Sequence, residues 1–182
     1  MLTDFQRKKL SRLFDVLDTD GNKQLEREDY TRVIANLARI HGWAPGSPPY
    51  AQAEELYLTI WDNLQMLADQ NSDKKVGLEE FLQFHAQMLN TPELYEQITV
   101  GTLDLLFDAF DRDQDGTLSR DDFRDFFDAY GIRGKVADEA FQKLDTSGDG
   151  QISKEEALER VKEYYFSDDP NAAGNWLFGR YG

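Results

Sequence analysis

Apolar residues recur along this chain at helical spacing, in short stripes separated by polar breaks. Leu10, Leu13, Phe14 and Leu17 fall at i, i+3, i+4 and i+7, one buried face of an α-helix. After a break, Tyr30, Val33, Ile34 and Leu37 repeat that pattern. A later break is bracketed by Leu103, Leu106, Phe107 and Phe110, then by Phe123, Phe126, Phe127 and Tyr130. Phe141 and Leu144 enter the last break, and Ala157, Val161 and Tyr164 leave it. One further break has a poor entering stripe (Trp61, Leu64, Gln65, Ala68) and a better exit (Phe81, Phe84, His85, Met88). The pattern predicts an all-α chain of helix–break–helix units, four times over.

Aligned on their single apolar residue, the four breaks are one repeat. They cover residues 18–29, 69–80, 111–122 and 145–156, twelve residues each. Each has oxygen-bearing side chains at positions 1, 3, 5 and 12, and Leu, Val or Ile at position 8. A single acidic turn says little, because solvated acidic turns are common. Four in register match the needs of Ca²⁺, a hard ion that takes six to eight oxygens at roughly 2.3–2.6 Å. Positions 1, 3 and 5 give side-chain oxygens, and position 7 gives a carbonyl. Position 9 acts often through water, and position 12 gives a carboxylate from the next helix. Helix–loop–helix around such a loop is the EF-hand. One hand leaves its stripes exposed, so hands pair, with Leu25 opposite Val76 and Leu118 opposite Ile152 in short two-stranded contacts.

The loops are not equal. The fourth offers Asp145, Ser147, Asp149, the Gln151 carbonyl and Glu156 as a bidentate ligand, with Gly150 at the turn. The third offers Asp111, Asp113, Asp115, the Thr117 carbonyl and Asp122, with Gly116 at the turn. Its position 12 is one methylene shorter than Glu, which favours monodentate contact, six-coordination and Mg²⁺ or weaker Ca²⁺ binding. The first loop offers Asp18, Asp20, Asn22, the Gln24 carbonyl and Asp29, with Glu26 as a further carboxylate, and Asp29 makes it a second mixed Ca²⁺/Mg²⁺ candidate. Lys23 stands at its position 6, where the chain needs φ > 0; a non-glycine residue there costs about 1 kcal/mol. The second loop is the weakest. Asp69, Asn71, Asp73, the Lys75 carbonyl and Glu80 fit the positions, but Lys74 holds the turn and two lysines flank the ion. Three Ca²⁺ sites are expected, with the second loop an open fourth.

Spacing sets the domains. The first two loops start 51 residues apart, against 42 and 34 for the others. The extra length holds Gly42–Pro49, with three of the five prolines, and reads as a turn between helices. Asn90 or Thr91 caps the next helix and Pro92 is its first residue, a boundary between pairs. The expected division is an N-terminal pair over 1–90, a C-terminal pair over 91–166, and an aromatic tail over 167–182 that docks on the core.

Composition narrows the classes. Of 182 residues, 35 are acidic and 20 basic, for a net charge of −15, which argues against nucleic acid and against anionic membrane. The four loops hold 18 of the acidic and 7 of the basic residues, so −11 of that charge belongs to the proposed binding apparatus. With no cysteine, disulfides, Cys-zinc sites, Fe–S clusters and a thiol nucleophile are excluded. No secretory leader, myristoylation signal or apolar run of membrane-spanning length is present in the sequence, so a cytoplasmic protein is expected.

The loops, their spacing, Asp29 at position 12 of the first loop, and the ending Asp168-Asp169-Pro170-Asn171 with Gly174-Asn175-Trp176-Leu177-Phe178-Gly179 resemble the sarcoplasmic calcium-binding protein and calerythrin family. The match runs nearly the whole chain. It implies a compact four-hand fold with packed pairs, a cytosolic Ca²⁺ and Mg²⁺ buffering role, and often a degenerate second hand. Lys23 departs from the family pattern.

Three functional classes are then separable. A sensor opens a Met-rich groove. This chain has three Met, many large aromatics, a tail able to fill such a groove, and no flexible polar linker. A buffer without enzymatic activity is expected, as a monomer with no protein target indicated, and a Ca²⁺ sensor that exposes an apolar groove is the alternative. A luciferin-binding, photoprotein-like role is more remote, because no general-base constellation is visible. His85 reads as a packed core histidine and His41 as solvated. The 12 Phe, 8 Tyr and 3 Trp are assigned to the core between the pairs, with Trp176, Leu177, Phe178 and Tyr181 docking the tail.

Overall fold

A computed structural model describes residues 1–179 and bears out the all-α, four-hand architecture. The first pair comprises α1 (Asp4–Leu17), β1 (Gln24–Leu25), α2 (Arg27–His41), α3 (Pro48–Ala68), β2 (Val76–Gly77) and α4 (Leu78–Met88). The second begins with α5 (Pro92–Tyr95), which runs through a π-turn (Glu96–Val100) into α6 (Gly101–Phe110). Then come β3 (Thr117–Ser119), α7 (Arg120–Ala129), α8 (Lys135–Leu144), β4 (Gln151–Ser153) and α9 (Lys154–Phe166), closed by a 3₁₀ turn (Ala173–Trp176). No helix among the described residues is long and apolar enough to cross a membrane.

The position-8 residues join the hands as expected. β1 and β2 pair antiparallel with Leu25 opposite Val76, and β3 and β4 with Leu118 opposite Ile152. All four of these side chains point to the core or its edge, so each ladder ties two loops to one apolar layer.

Some local expectations need correction. The turn between helices falls at residues 42–47, but its last two expected residues, Pro48 and Pro49, already belong to α3, which is 21 residues long. Pro48 and Pro49 open that helix, because Pro is at home in a first turn whose N–H groups lack partners anyway. Ala53 and Tyr57 then extend the buried stripe upstream of Trp61 and Ala68, so the second hand's entering face is fuller than it reads. Thr91 stands at the N-cap of α5, but its hydroxyl donates to the Gln87 carbonyl (3.1 Å) and caps nothing.

The core is continuous between the pairs. Leu10, Phe14, Tyr30, Ile34, Tyr57, Trp61 and Phe81 share one cluster with Phe110, Ala129 and Tyr164. A second cluster, with Phe107, Phe127, Phe141 and Leu144, lies within the C-terminal hands. Burying each such side chain contributes about 1.5–3 kcal/mol. The aromatic residues largely pack on one another, as in Phe14 against Phe81 (5.6 Å between centroids) and Phe123 against Phe127 (4.8 Å).

Polar contacts lock the same faces. Lys9 on α1 is fully buried, and its ammonium donates to the carbonyls of Glu163 (3.2 Å) and Ser167 (2.7 Å) at the end of α9. A cation there faces the negative end of the helix dipole. Burial pushes Lys9 down to about 8, against the pull of Asp168 and Glu163. The Tyr164 hydroxyl returns a bond to the Lys9 carbonyl, and Gln6 donates to the Tyr165 carbonyl (3.0 Å). On the other side, Asn36 of α2 donates to the Ala129 carbonyl of α7 (2.9 Å).

The tail lies along these elements. Gly174 donates its amide to Glu163 (2.7 Å), Asn175 donates to the Asp169 carbonyl (2.9 Å), and Arg12 donates to the Phe178 carbonyl (3.2 Å). Trp176 and Leu177 pack on the C-terminal cluster, and the Phe178 ring meets Tyr164 (5.2 Å) and Phe126 (6.5 Å). Tyr181, assigned to the same docking from sequence, lies outside the described residues.

Candidate metal centres

One backbone rule builds all four loops. Position 6 is left-handed in each, at Lys23 (φ 67°), Lys74 (67°), Gly116 (84°) and Gly150 (87°). Position 4 is left-handed too, at Gly21, Ser72, Gln114 and Gly148, a feature the sequence reading missed. The two reversals turn backbone amides inward, where the position-1 aspartate collects them. Asp18, Asp69, Asp111 and Asp145 each accept from the position-6 amide, at 2.9, 2.9, 2.9 and 3.0 Å. Position 5 accepts from the position-7 amide, at Asn22 (2.8 Å), Asp73 (2.9 Å), Asp115 (2.8 Å) and Asp149 (2.9 Å).

Position 12 closes each loop and starts the next helix. One oxygen of Asp29, Glu80, Asp122 and Glu156 accepts from the position-9 amide, at 2.9, 2.9, 3.0 and 3.1 Å. This is the reciprocal half of a capping box, completed at Ser119 and Ser153 by their hydroxyls. The other oxygen reaches back across the loop, to the Thr19 amide in loop one (2.9 Å), Gln70 in loop two (3.2 Å) and Ser147 in loop four (3.0 Å). In loop three the Arg112 guanidinium takes that place, 3.1 Å from Asp122.

The loops differ in how far they gather their carboxylates. The carboxylates of Asp18, Asp20 and Asp29 lie within 4.8 Å of one another, as do those of Asp111, Asp113 and Asp115. Among the described residues, Asp122 stays outside the group formed in loop three, and loops two and four form no group of three. In loop four, Ser147 replaces a carboxylate at position 3, and its hydroxyl lies 3.2 Å from Asp145. Glu26, offered as an extra ligand for loop one, is instead drawn across the ladder to Lys75 (2.5 Å), whose ammonium holds its carboxyl below the usual range. Arg32 bridges Asp20 (2.9 Å) and Asp29 (3.1 Å).

Electrostatics test whether these oxygens suit a cation. Asp29 is only 1% exposed, and burial pushes its carboxyl up despite bonds from Glu26 and Thr19. A carboxylate removed from water needs a positive partner. Burial also pushes Glu156 up, but the bonds from Ser153 and Ser147 outweigh it and hold it below the usual range. The donors are oxygens throughout, without His or Cys, which fits a hard divalent cation such as Ca²⁺ or Mg²⁺ and disfavours zinc or copper.

The two histidines stand apart from the loops. His85 is buried as expected. Its Nδ1 faces the Phe81 carbonyl at 2.8 Å, and burial lowers it to about 4, so it is neutral with Nδ1 carrying the proton. His41 is not solvated: it stacks on Trp43 (4.8 Å) and lies 3.7 Å from Asp125 and 3.4 Å from Arg112. Asp125 and Arg112 belong to the other pair, so nothing near His41 in sequence signals them. Between the pairs an apolar cavity of about 340 Å³ remains, lined among others by Leu64, Phe84, His85, Leu105, Phe110 and Arg160. The Arg160 Nε in its wall has no hydrogen-bond partner.

Known proteins place these loops. Two family models, both of an EF-hand domain pair, match residues 102–162 and 72–130. Calerythrin of Saccharopolyspora erythraea is 26% identical over 168 residues, 91% of this chain and 95% of that one. Sarcoplasmic calcium-binding proteins I, III and IV of Branchiostoma lanceolatum are 26% identical over 186 residues, covering 98% of each. Among solved structures, the coelenterazine-binding protein of Renilla muelleri, in its Ca-loaded apo form, superposes with a TM-score of 0.75 at 25% identity, covering 98% of this chain and 99% of that one. The chain belongs to the EF-hand calcium-binding proteins, with calerythrin and the sarcoplasmic calcium-binding proteins among its relatives.

Proposed function

We propose that the protein is a Ca²⁺ and Mg²⁺ buffer whose ions are held at loops one, three and four, by positions 1, 3, 5, 7 and 12 of each. Loop two shares the backbone geometry and is the weakest candidate, since Lys75 adds positive charge at its rim. Asp29 and Asp122, one methylene short of Glu, make loops one and three the Mg²⁺-tolerant sites. The division into pairs 1–90 and 91–166, with the tail 167–182, belongs to the same reading, as does a monomer acting without a protein target.

The observation that carries the buffer over a sensor is the tail. Phe178 sits between Tyr164 and Phe126, and Trp176 and Leu177 cover the C-terminal cluster. A sensor needs that surface free when its hands open. With Lys9 joining α1 to α9 and Asn36 joining α2 to α7, ion uptake tightens a closed body. The test is a calorimetric Ca²⁺ titration with and without millimolar Mg²⁺, followed in parallel by binding of an apolar dye. Three sites, two of them weakened by Mg²⁺, and no rise in dye binding on Ca²⁺ addition are expected. A Ca²⁺-dependent rise in dye binding sinks the buffer in favour of the sensor.

The cavity favours a second reading, a small-molecule store like the coelenterazine-binding relative. Its walls are apolar, while the neutral His85 ring and the unpaired Arg160 Nε supply polar points. N-phenyl-1-naphthylamine, an uncharged probe, is expected to bind one-to-one whether or not Ca²⁺ is present. Leu105, half exposed at the cavity's edge, gives the control. A Leu105→Glu variant that binds the probe as well as its parent rules the cavity out.

A further inference from the structure

We propose that Arg32 and Arg112 guard the two aspartate-closed loops and set their ion affinity, each guanidinium holding carboxylate oxygens that a divalent cation must take. The proposal rests on the reading of loops one and three as ion sites. Arg32 lies one turn beyond Asp29 on α2 and spans positions 3 and 12, with Nη2 2.9 Å from Asp20 and Nη1 3.1 Å from Asp29. Arg112 stands at position 2 of loop three, with Nε 3.1 Å from Asp122.

The glutamate-closed loops are built differently. Glu80 is met by the amides of Gln70 and Gly77. Glu156 is met by the amides of Ser147 and Ser153 and the Ser153 hydroxyl. No cationic side chain lies on either glutamate among the described residues. Neutral amides and hydroxyls can keep their bonds when the carboxylate takes a cation. A guanidinium about 3 Å from the same oxygen cannot, because two positive groups then share one carboxylate. The Asp29 and Asp122 carboxylates are buried, so the arginines neutralise them until an ion displaces the guanidinium.

The two guards differ in what they lose. Arg112 has another seat, since its Nη2 lies 3.5 Å from Asp125 and its Nη1 3.4 Å from His41. Arg32 gives up both carboxylates and keeps only the Thr19 hydroxyl, 3.3 Å away. Its removal therefore has the larger effect.

Charge alone also changes affinity, so each variant needs a charge-matched control. Lys23 lies in loop one but pairs with Asp15 (2.9 Å), and Arg120 lies in loop three but pairs with Asp138 (3.8 Å). The experiment compares R32Q with K23Q, and R112Q with R120Q, in the full chain. Ca²⁺ titrations are followed by amide NMR at Gly21 and Gly116, which report the two loops separately, and each variant is also melted in chelator. R32Q is expected to tighten loop one about fivefold more than K23Q does, and R112Q to tighten loop three about threefold more than R120Q. In chelator, R32Q is expected to melt below K23Q, because Asp29 is left buried without its counter-charge. Equal tightening by guard and control, or equal melting of R32Q and K23Q in chelator, overturns the proposal. Loops one and three that take no Ca²⁺ even in the parent chain overturn the ion-site reading itself, and the guards with it.

Discussion

Replacing Gly174 by alanine is expected to destabilise the fold by about 2–3 kcal/mol, the upper range for overpacking a tight contact. A Cβ at this position would lie 2.2 Å from the Arg160 carbonyl oxygen, 2.6 Å from the Glu163 Cβ and 3.0 Å from the Tyr164 amide. Two of those three atoms are helix backbone, which cannot swing aside as a side chain can. The 3₁₀ turn must therefore lift from α9, and the hydrogen bond from the Gly174 N–H to the Glu163 carboxylate goes with it. Since Trp176, Leu177 and Phe178 follow directly, the tail should lose its seat, and dye binding should rise even without Ca²⁺. Gly101 is the control: it is helical, with nothing within 4 Å of an added Cβ. Gly101→Ala should be neutral or stabilise by up to about 1 kcal/mol through helix propensity. Urea unfolding of the two variants measures both. A Gly174→Ala midpoint equal to the parent's would show that the tail does not press on α9.

The contrast between legible and hidden features follows the range of the interactions that cause them. The helix stripes and the pairing of Leu25 with Val76 and Leu118 with Ile152 were readable, because each hand repeats the same local pattern. The left-handed position 6 was readable from Gly116 and Gly150, and it held even at Lys23 and Lys74, where the loop's amide bonds outweigh the local cost. Position 4 was only half signalled. Gly21 and Gly148 hint at it, but Ser72 and Gln114 adopt the same conformation without announcing it. The start of α3 was misread because a Pro-Pro pair serves a turn or a helix's first turn equally well. Nothing in the sequence near Lys9 marks it as buried; only carbonyls more than 150 residues away make its burial tolerable. His41 is a similar case, since Asp125 and Arg112 reach it only from the other pair. Local sequence carries the donors of each loop. It also carries Arg32 and Arg112, but not which loop carboxylates their guanidinium groups reach.

Glu156→Gln is expected to remove one Ca²⁺ from the stoichiometry and most of the ion's contribution to stability at loop four. In the folded chain Glu156 spends both oxygens, one on Ser147 (3.0 Å) and the other on Ser153 (3.1 Å). A glutamine offers one oxygen and one NH₂, so either Ser147 or Ser153 then faces a donor. That mismatch should lower ion-free stability by about 1 kcal/mol. The larger loss comes on adding Ca²⁺. An ion present at 1,000 times its dissociation constant stabilises a site by about 4 kcal/mol, and a loop without its bidentate carboxylate forfeits that term. The variant's melting temperature should therefore lie slightly below the parent's in chelator and far below it in millimolar Ca²⁺. Because β3 and β4 join loop four to loop three through Leu118 and Ile152, loosening one loop should also weaken Ca²⁺ binding at the other. Calorimetric titration reads the missing site, and paired melts with and without Ca²⁺ read the linkage. If the variant kept the parent's stoichiometry and its full Ca²⁺-induced rise in melting temperature, loop four would not be an ion site, and the repeat itself would need another explanation.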